Sequence, residues 1–270
     1  LNSSLSQLQY EAALGNAERG QYKIIYVAPE RLATPRFESF VQSEHLAAVI
    51  VDEAHRVSQW GHDFRPGYLQ IKDFLSGLAG RPVVGAFTAT ATETVRADIA
   101  ALLELRDPYT LVTGFDRPNL YFETQSPGDK DRELLRLLKE RPGRSGIVYC
   151  ATRAGVEEVC DLLIRSGISA TRYHAGLDPE ERQLNQNDFV HDRRQVMVAT
   201  NAFGMGIDKS NVSFVIHYNM PKNVESYYQE AGRAGRDGEA ADCILLYSPK
   251  DVQLGRFFIS RSQAEREDLL

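Results

Sequence analysis

Short uninterrupted apolar runs alternate along this chain with stretches whose apolar residues recur at helical spacing. The runs are KIIYV at 23–27, LAAVIV at 46–51, VVGAF at 83–87, GIVYC at 146–150, the opening of ATRYHAGL at 170–177, VMVAT at 196–200 and DCILLYS at 242–248. Their length and their β-branched content predict strands. LAAVIV in particular reads as a strand buried on both faces, as in a parallel sheet covered by helices. Between the runs, Val95, Ile99, Leu102 and Leu103, and later Val156, Val159, Cys160 and Leu163, each mark the apolar face of a helix. Helices are also expected near the start of the chain, over about residues 68–78, and from Pro249 onward. Thr92 is placed to cap a helix and Gly167 to end one. Asp178, Pro179 and Glu181 form a helix start with cap, first-turn proline and box glutamate.

Strands alternating with helices predict an α/β fold with mainly parallel sheets. The alternation lapses in TGFDRPNLYFE at 113–123, which has no helical period and holds a Gly and an Arg-Pro. The expected organisation is therefore a first lobe at 1–114, a link at 115–118, a second lobe at 119–250 and a C-terminal helix at 251–270. A length of 270 residues leaves room for two such cores.

Charge and cysteine usage narrow the chemistry. The first 114 residues carry 10 Lys/Arg against 13 Asp/Glu, and the rest carry 21 against 24, so each part is −3. Neither part is a basic module, and contact with nucleic acid must come from a local groove. Cys150, Cys160 and Cys243 show no C-x-x-C spacing, which argues against a zinc site and a disulfide framework. Buried packing suits Cys150 and Cys243, and a reducing, cytoplasmic setting is expected. There is no apolar run long enough to span a bilayer, so no membrane partner is expected.

The chemistry gathers after LAAVIV, in DEAHRVSQWGHDFRP at 52–66. Ligands of open α/β sheets bind beyond the carboxyl ends of the strands. Asp52 there suits a Mg²⁺ that carries nucleotide phosphates, and Glu53 can polarise an attacking water. The same pair also reads as an exposed acidic loop. Downstream, Trp60 and Phe64 can stack bases while Arg65 holds a phosphate, or the aromatics can simply cap the core. Gln229, Arg233 and Arg236 fall at i, i+4 and i+7, one face of a predicted helix. Two arginines there serve either as a solvated surface or as neutralising groups for a transferring phosphoryl group.

DEAH followed by SQWGHDFRP resembles the RecQ family of DNA helicases, with Arg56 where that family usually has Cys. The resemblance extends in order through APERL at 28–32 (motif Ib), TAT at 88–90 (motif III), GIVYC, the glycines after VMVAT (motif V) and QEAGRAGR at 229–236 (motif VI). It implies two RecA-like lobes, the first truncated at its N-terminus, since no G-x-x-x-x-G-K-[ST] occurs anywhere in the chain. By resemblance Asp52 holds Mg²⁺, Glu53 orients water, His55 couples the lobes, and Thr88, Gly206 and Asp208 face the nucleotide. Gln229, Arg233 and Arg236 belong to the phosphate-contacting motif, with Arg236 as the finger. Gln59, Trp60, His62, Phe64, Arg65, His174 and Thr200 lie on the DNA side. For His174 a purely structural role at a strand end is an equal reading, as a Pro-marked turn is for APERL.

The resemblance further implies an ATP-dependent 3′-to-5′ DNA helicase of recombination and repair, a monomer acting on single-stranded and 3′-tailed duplex DNA, nucleoid-associated if bacterial. Zinc is expected only in a downstream module. The isolated chain is expected to be a fragment without helicase-like ATP turnover. Two rivals stand beside this: a superfamily-two motor acting on RNA or translocating on duplex DNA, and a non-catalytic binding or interaction fragment.

Overall fold

A computed structural model of the protein describes residues 1, 5–44, 46–59, 65–89, 91–114, 116–204 and 207–267. Trp60, His62, Phe64, Thr90 and Gly206, all singled out above, lie outside the described residues. The chain divides into two compact units, Leu1–Thr113 and Gly114–Leu270.

The second unit is built on six strands: β3 (Leu120–Gln125), β4 (Ser145–Tyr149), β5 (Ala170–Tyr173), β6 (Val196–Ala199), β7 (Val212–His217) and β8 (Ala241–Leu246). They form one sheet in the order β3-β8-β7-β4-β6-β5, every pair parallel. Successive side chains of a strand point to opposite faces, and the two cores divide accordingly. Val148, Val198, Ile216 and Ile244 join Leu134 and Leu137 of α5 (Lys130–Lys139) and Val156 and Leu163 of α6 (Arg153–Arg165). Ile147, Met197, Val215 and Cys243 join Phe189 of α7 (Pro179–Val190) and Ala231 of α8 (Val224–Ala231) on the other face. The glycine opening GIVYC has a packing reason, because a Cβ at Gly146 would overlap the Phe214 ring. A last helix, α9, spans Pro249–Glu267.

The first unit holds two parallel strands, β1 (Ala48–Val51) and β2 (Val83–Ala86), with Ala48 opposite Val83 and Val51 opposite Ala86. Its helices are α1 (Gln7–Glu18), α2 (Pro35–Ser43), α3 (Gln70–Gly77) and α4 (Glu93–Leu102). Val51, Ala54, Val57, Ile71, Leu75, Val95 and Ile99 pack on one side of the strands. A satellite cluster joins Tyr10 and Leu14 to Phe37, Phe40 and Val41. α1 begins with a full capping box between Ser6 and Gln9, and Thr92 caps α4 by accepting the Val95 N–H at 3.3 Å.

Four sequence expectations are corrected. LAAVIV is not buried on both faces: Ile50 is 60% exposed and its neighbours Val83 and Phe87 are 72% and 60% exposed, because no described helix covers that side. KIIYV forms no strand. Among the described residues its backbone pairs only with residue 1, where Leu1 N donates to Tyr26 O; Ala28 N, just past it, donates to Leu1 O, and Ile24 and Tyr26 face outward. α7 starts at Pro179 as expected, but Asp178 makes no side-chain cap and Glu181 binds Arg172 instead, so the capping box is absent. Arg233 and Arg236 do not continue the helix of Gln229. α8 ends at Ala231, and tight turns follow in which Gly235 takes the left-handed φ of 58°.

All three cysteines are buried and unbonded, and burial pushes the Cys160 thiol up to about 11 and the Cys243 thiol up to about 12. Such thiols are inert packing groups. No described helix is long and apolar enough to cross a membrane.

Candidate functional site

In the first unit the acidic pair stands where the strands end. β1 stops at Val51, and the chain then turns through Glu53, whose backbone sits at φ 48°, ψ 42°. A left-handed non-glycine residue costs about 1–2 kcal/mol and marks a turn held by its surroundings. Two contacts hold it. Phe87 N donates to Val51 O and Ala54 N donates to Phe87 O, both at 2.9 Å, stitching the turn to the end of β2. Asp52 is exposed and accepts the Glu53 N–H at 2.9 Å.

The turn delivers His55 inward. Its imidazole is 2% exposed, with Nδ1 2.8 Å from Thr88 Oγ1 and 3.4 Å from Glu53 Oε2. Asp52, Glu53, His55 and Thr88 are thus brought together. Glu53 Oε2 is buried and makes no hydrogen bond among the described residues. An exposed carboxylate at a strand end is the donor Mg²⁺ takes when it keeps several waters and phosphate oxygens. No group of three or more ligating side chains gathers among the described residues.

The two flanks of the aromatic segment are anchored. Ser58, fully buried, donates to Asp98 Oδ2 of α4 at 2.6 Å. On the far side Arg65 N donates to Arg56 O at 3.1 Å, and the Arg65 guanidinium pairs with Glu30 of APERL at 2.5 Å. Gln59 is exposed.

In the second unit, the turns after α8 face the loop after β6. Arg233 donates through Nη1 to Gly204 O, and Arg236 donates to Ile207 O at 2.9 Å. Gly204 has a φ of 140° and lies against the Arg233 guanidinium, so a side chain there would be strained and would displace that guanidinium. Desolvation lowers the Arg236 pKa, as does the adjacent charge of Arg233, while exposed Asp208 opposes both. Arg117, from the segment expected to link the lobes, donates to Ala234 O and Gly235 O, and Asn119 donates to Gly235 O and Glu239 O. Gln229 lies half-buried on α8.

His174 and Thr200 sit at adjacent strand ends, where Thr200 N donates to Tyr173 O at 3.2 Å. Both are buried. His174 therefore offers no ring nitrogen to a ligand: Nε2 is 2.6 Å from Glu157 Oε1, and Nδ1 accepts the Gly176 N–H at 3.1 Å.

Sequence reasoning missed Asp98, Arg117, Glu157 and Glu230, the last pairing with buried His217 at 2.9 Å. Only Asp98 left a signal, an acid three residues after Val95 and one before Ile99, inside the apolar stripe of its helix. The others meet their partners across sequence gaps that no local pattern records.

Comparison with known proteins bears on this geometry. The family description "DEAD/DEAH box helicase" matches residues 2–98, and "Helicase conserved C-terminal domain" matches residues 129–238. A solved structure of S. cerevisiae Dbp5 bound to RNA and ADP BeF3 superposes with a TM-score of 0.61 at 21% identity, covering 94% of this chain and 61% of that one, a likeness of fold. "ATP-dependent DNA helicase RecQ" of Bacillus subtilis is 45% identical over 99% of this chain and 45% of its own length. The protein of the same name from Pasteurella multocida is 42% identical over 93% of this chain and 40% of its own length. The chain thus spans less than half the length of these relatives. At 42–45% identity over 93–99% of its length, and with both helicase family descriptions matching, the chain belongs to the RecQ helicase family.

Proposed function

We propose that these residues form the motor part of an ATP-dependent DNA helicase that unwinds 3′-tailed duplexes in the 3′-to-5′ direction, in recombination and repair. The observation that carries this reading is the cluster at the ends of β1 and β2, where Glu53 Oε2, buried and without a hydrogen bond among the described residues, lies 3.4 Å from His55 Nδ1 beside the 2.8 Å His55–Thr88 contact. Glu53 orients the hydrolytic water and accepts its proton. His55 and Thr88 tie that carboxylate to the segment after β2, so a change at one is felt at the other. Arg233 and Arg236 stabilise charge on the transferring phosphoryl group. Asp52 would hold Mg²⁺, which supplies charge neutralisation at the phosphates when bound. Trp60, Phe64 and Arg65 report bound DNA. Relatives named ATP-dependent DNA helicases support the assignment.

The test is ATP hydrolysis with and without single-stranded DNA, plus strand displacement on a 3′-tailed duplex, by the intact helicase that carries these residues. Trp60→Ala is expected to abolish DNA stimulation while leaving ATP-analogue affinity within about threefold. Equal stimulation of variant and parent would discard the reading of the aromatic segment, and an unaltered rate in Glu53→Gln would discard that of the acidic pair.

One observation favours a second reading, a binding module without turnover of its own: the sequence contains no G-x-x-x-x-G-K-[ST] loop to cradle the β- and γ-phosphates. Titration of the 270-residue chain with a fluorescent ATP analogue separates the two, saturable binding supporting the motor.

A further inference from the structure

The carboxyl end of β5, where the family resemblance puts His174 on the DNA side, carries a polar web that the motor chemistry does not use. His174 is its centre. Its Nδ1 accepts the Gly176 N–H at 3.1 Å, so the ring proton resides on Nε2 and points to Glu157 Oε1 at 2.6 Å. Glu157 Oε2 is 2.5 Å from Arg172 Nη1, and Arg172 reaches on to Glu181 Oε1 of α7 at 3.1 Å. Asn185 of α7 donates to Arg172 O at 3.0 Å. The web thus ties β5 to α6 on one side and to α7 on the other.

What it supports is the turn at residues 175–177. Ala175 and Gly176 are exposed, whereas the imidazole beneath them is 5% exposed. Leu177 N closes the turn onto His174 O at 3.2 Å. Gly176 has close neighbours: a Cβ there would stand 3.2 Å from Arg153 Cδ, Arg153 Nη1 and His174 Nδ1. The exposed Arg153 side chain, from the first residue of α6, therefore lies against the same turn that the imidazole holds from below.

We infer that His174 is a positioning residue for nucleic-acid binding, not a contact. It fixes the backbone of the 175–177 turn through Gly176, and through that turn fixes the side chain of Arg153. The inference rests on the reading of this chain as a nucleic-acid motor. The two ring nitrogens have separable tasks. Nε2 joins the web that holds β5 to α6, while Nδ1 is the side-chain atom that holds the turn. A side chain that keeps an acceptor near Nδ1 preserves the function, and one that keeps only a donor near Nε2 does not.

His174→Asn places an oxygen near the Nδ1 position, and His174→Gln places an N–H near the Nε2 position. Binding of a fluorescein-labelled single-stranded oligonucleotide is measured by anisotropy at low salt, and exchange of the Gly176 amide by NMR, for the parent chain, both variants and His174→Ala. The expected result is weakening of about fivefold to tenfold in His174→Gln and His174→Ala, the size of one lost hydrogen bond, with His174→Asn within about twofold of the parent. The Gly176 amide is expected to stay protected in the parent and in His174→Asn and to exchange faster in the other two. If the parent does not bind the oligonucleotide, the nucleic-acid reading falls and this inference with it. If the parent binds and all variants match it, if His174→Asn weakens as much as His174→Gln, or if Gly176 exchanges alike in all, only the inference is overturned. Thermal unfolding of each variant separates loss of the turn from loss of the fold, and a His174→Gln variant whose weaker binding tracks global unfolding likewise overturns it.

Discussion

His55 and Thr88 meet nitrogen to oxygen at 2.8 Å across the ends of two parallel strands, 33 residues apart in sequence. The contact is a side-chain link between the acidic turn after β1 and the segment after β2, and the imidazole in it is almost wholly buried. Thr88→Ala and His55→Ala are each expected to destabilise by about 1–2 kcal/mol, a hydrogen bond lost at a buried site. The double variant should fall short of the sum by a coupling of about 0.5–1.5 kcal/mol, and Thr88→Ser should restore most of the loss by returning the hydroxyl. Urea unfolding of the parent and the four variants measures this, and strict additivity would show the two side chains to be neighbours without a working contact.

Arg65 and Glu30 form a 2.5 Å pair in which each side chain is about half exposed. Such a pair contributes little to stability, roughly 0–1 kcal/mol. It does occupy the guanidinium that the phosphate reading assigns to DNA. Glu30→Gln is therefore expected to leave the melting temperature nearly unchanged while tightening oligonucleotide binding about twofold to fivefold at low salt. The gain should shrink as salt screens the phosphates. Weaker binding in Glu30→Gln would instead show that the carboxylate aims Arg65 rather than competing for it.

The second unit was far more legible in the sequence than the first, for a physical reason. A central parallel strand is buried on both faces, so GIVYC, VMVAT and DCILLYS each carry an unbroken apolar run, and each became a strand. KIIYV carries the same signal, yet among the described residues only residue 1 hydrogen-bonds to its backbone, and apolar content alone does not supply a ladder. At the site, the contiguous pieces were readable, since Asp52, Glu53 and His55 follow one strand directly. The pairings Ser58–Asp98 and Arg117–Gly235 depend on tertiary approach over 40 and 118 residues and left almost no local trace. The supposed arginine face failed because periodicity presumes a continuing helix, whereas Gly232 and Gly235 end it.

Lys209 is buried to within 2% of its side chain and is held by Asp192 Oδ1 at 2.7 Å, with Ser145 and Asn211 also donating to that carboxylate. Its ammonium lies 5.1 Å from the centre of the Phe189 ring. The Lys209 hydrogen bond, followed by that of Ser145, holds the Asp192 carboxyl below its usual range. A depressed carboxylate stabilises the fold above its unfolded-state pKa and loses that contribution as pH falls through the folded value. The contribution is therefore complete above about pH 5 and is lost progressively as pH falls from there through the depressed folded-state value, which lies below the ordinary aspartate value of about 4. Asp192→Ala strands a buried ammonium, which typically costs about 3–5 kcal/mol. Because the carboxylate is itself 55% exposed, about 1–3 kcal/mol is expected at pH 7. Melting curves from pH 3 to pH 8 check both parts. The acid limb should be shallower in the variant than in the parent, and parallel limbs would remove Asp192 from the acid response.

Gly235 and Gly238 frame the turn that carries Arg236, and both have positive φ, 58° and 87°. They differ in surroundings. A Cβ at Gly238 meets nothing within 4 Å, while one at Gly235 would stand 2.5 Å from Asn119 Nδ2 and 2.8 Å from Glu239 O. Asn119 cannot retreat cheaply, because its amide donates to Gly235 O at 2.8 Å and Glu239 O at 2.9 Å. Gly238→Ala thus bears only the backbone cost, about 1 kcal/mol. Gly235→Ala adds a steric clash and the disruption of two hydrogen bonds, and about 3 kcal/mol is expected. The turn is also fastened by Arg117 to Ala234 O and Gly235 O, so a shift of Gly235 moves the backbone on which Arg236 is mounted. Denaturant unfolding should order the two variants with Gly235→Ala the less stable, and Asn119→Gly introduced beside it should recover part of the difference by vacating the space. Equal costs at the two glycines, or no recovery, would mean that the close approach of Asn119 does not set the shape of this turn.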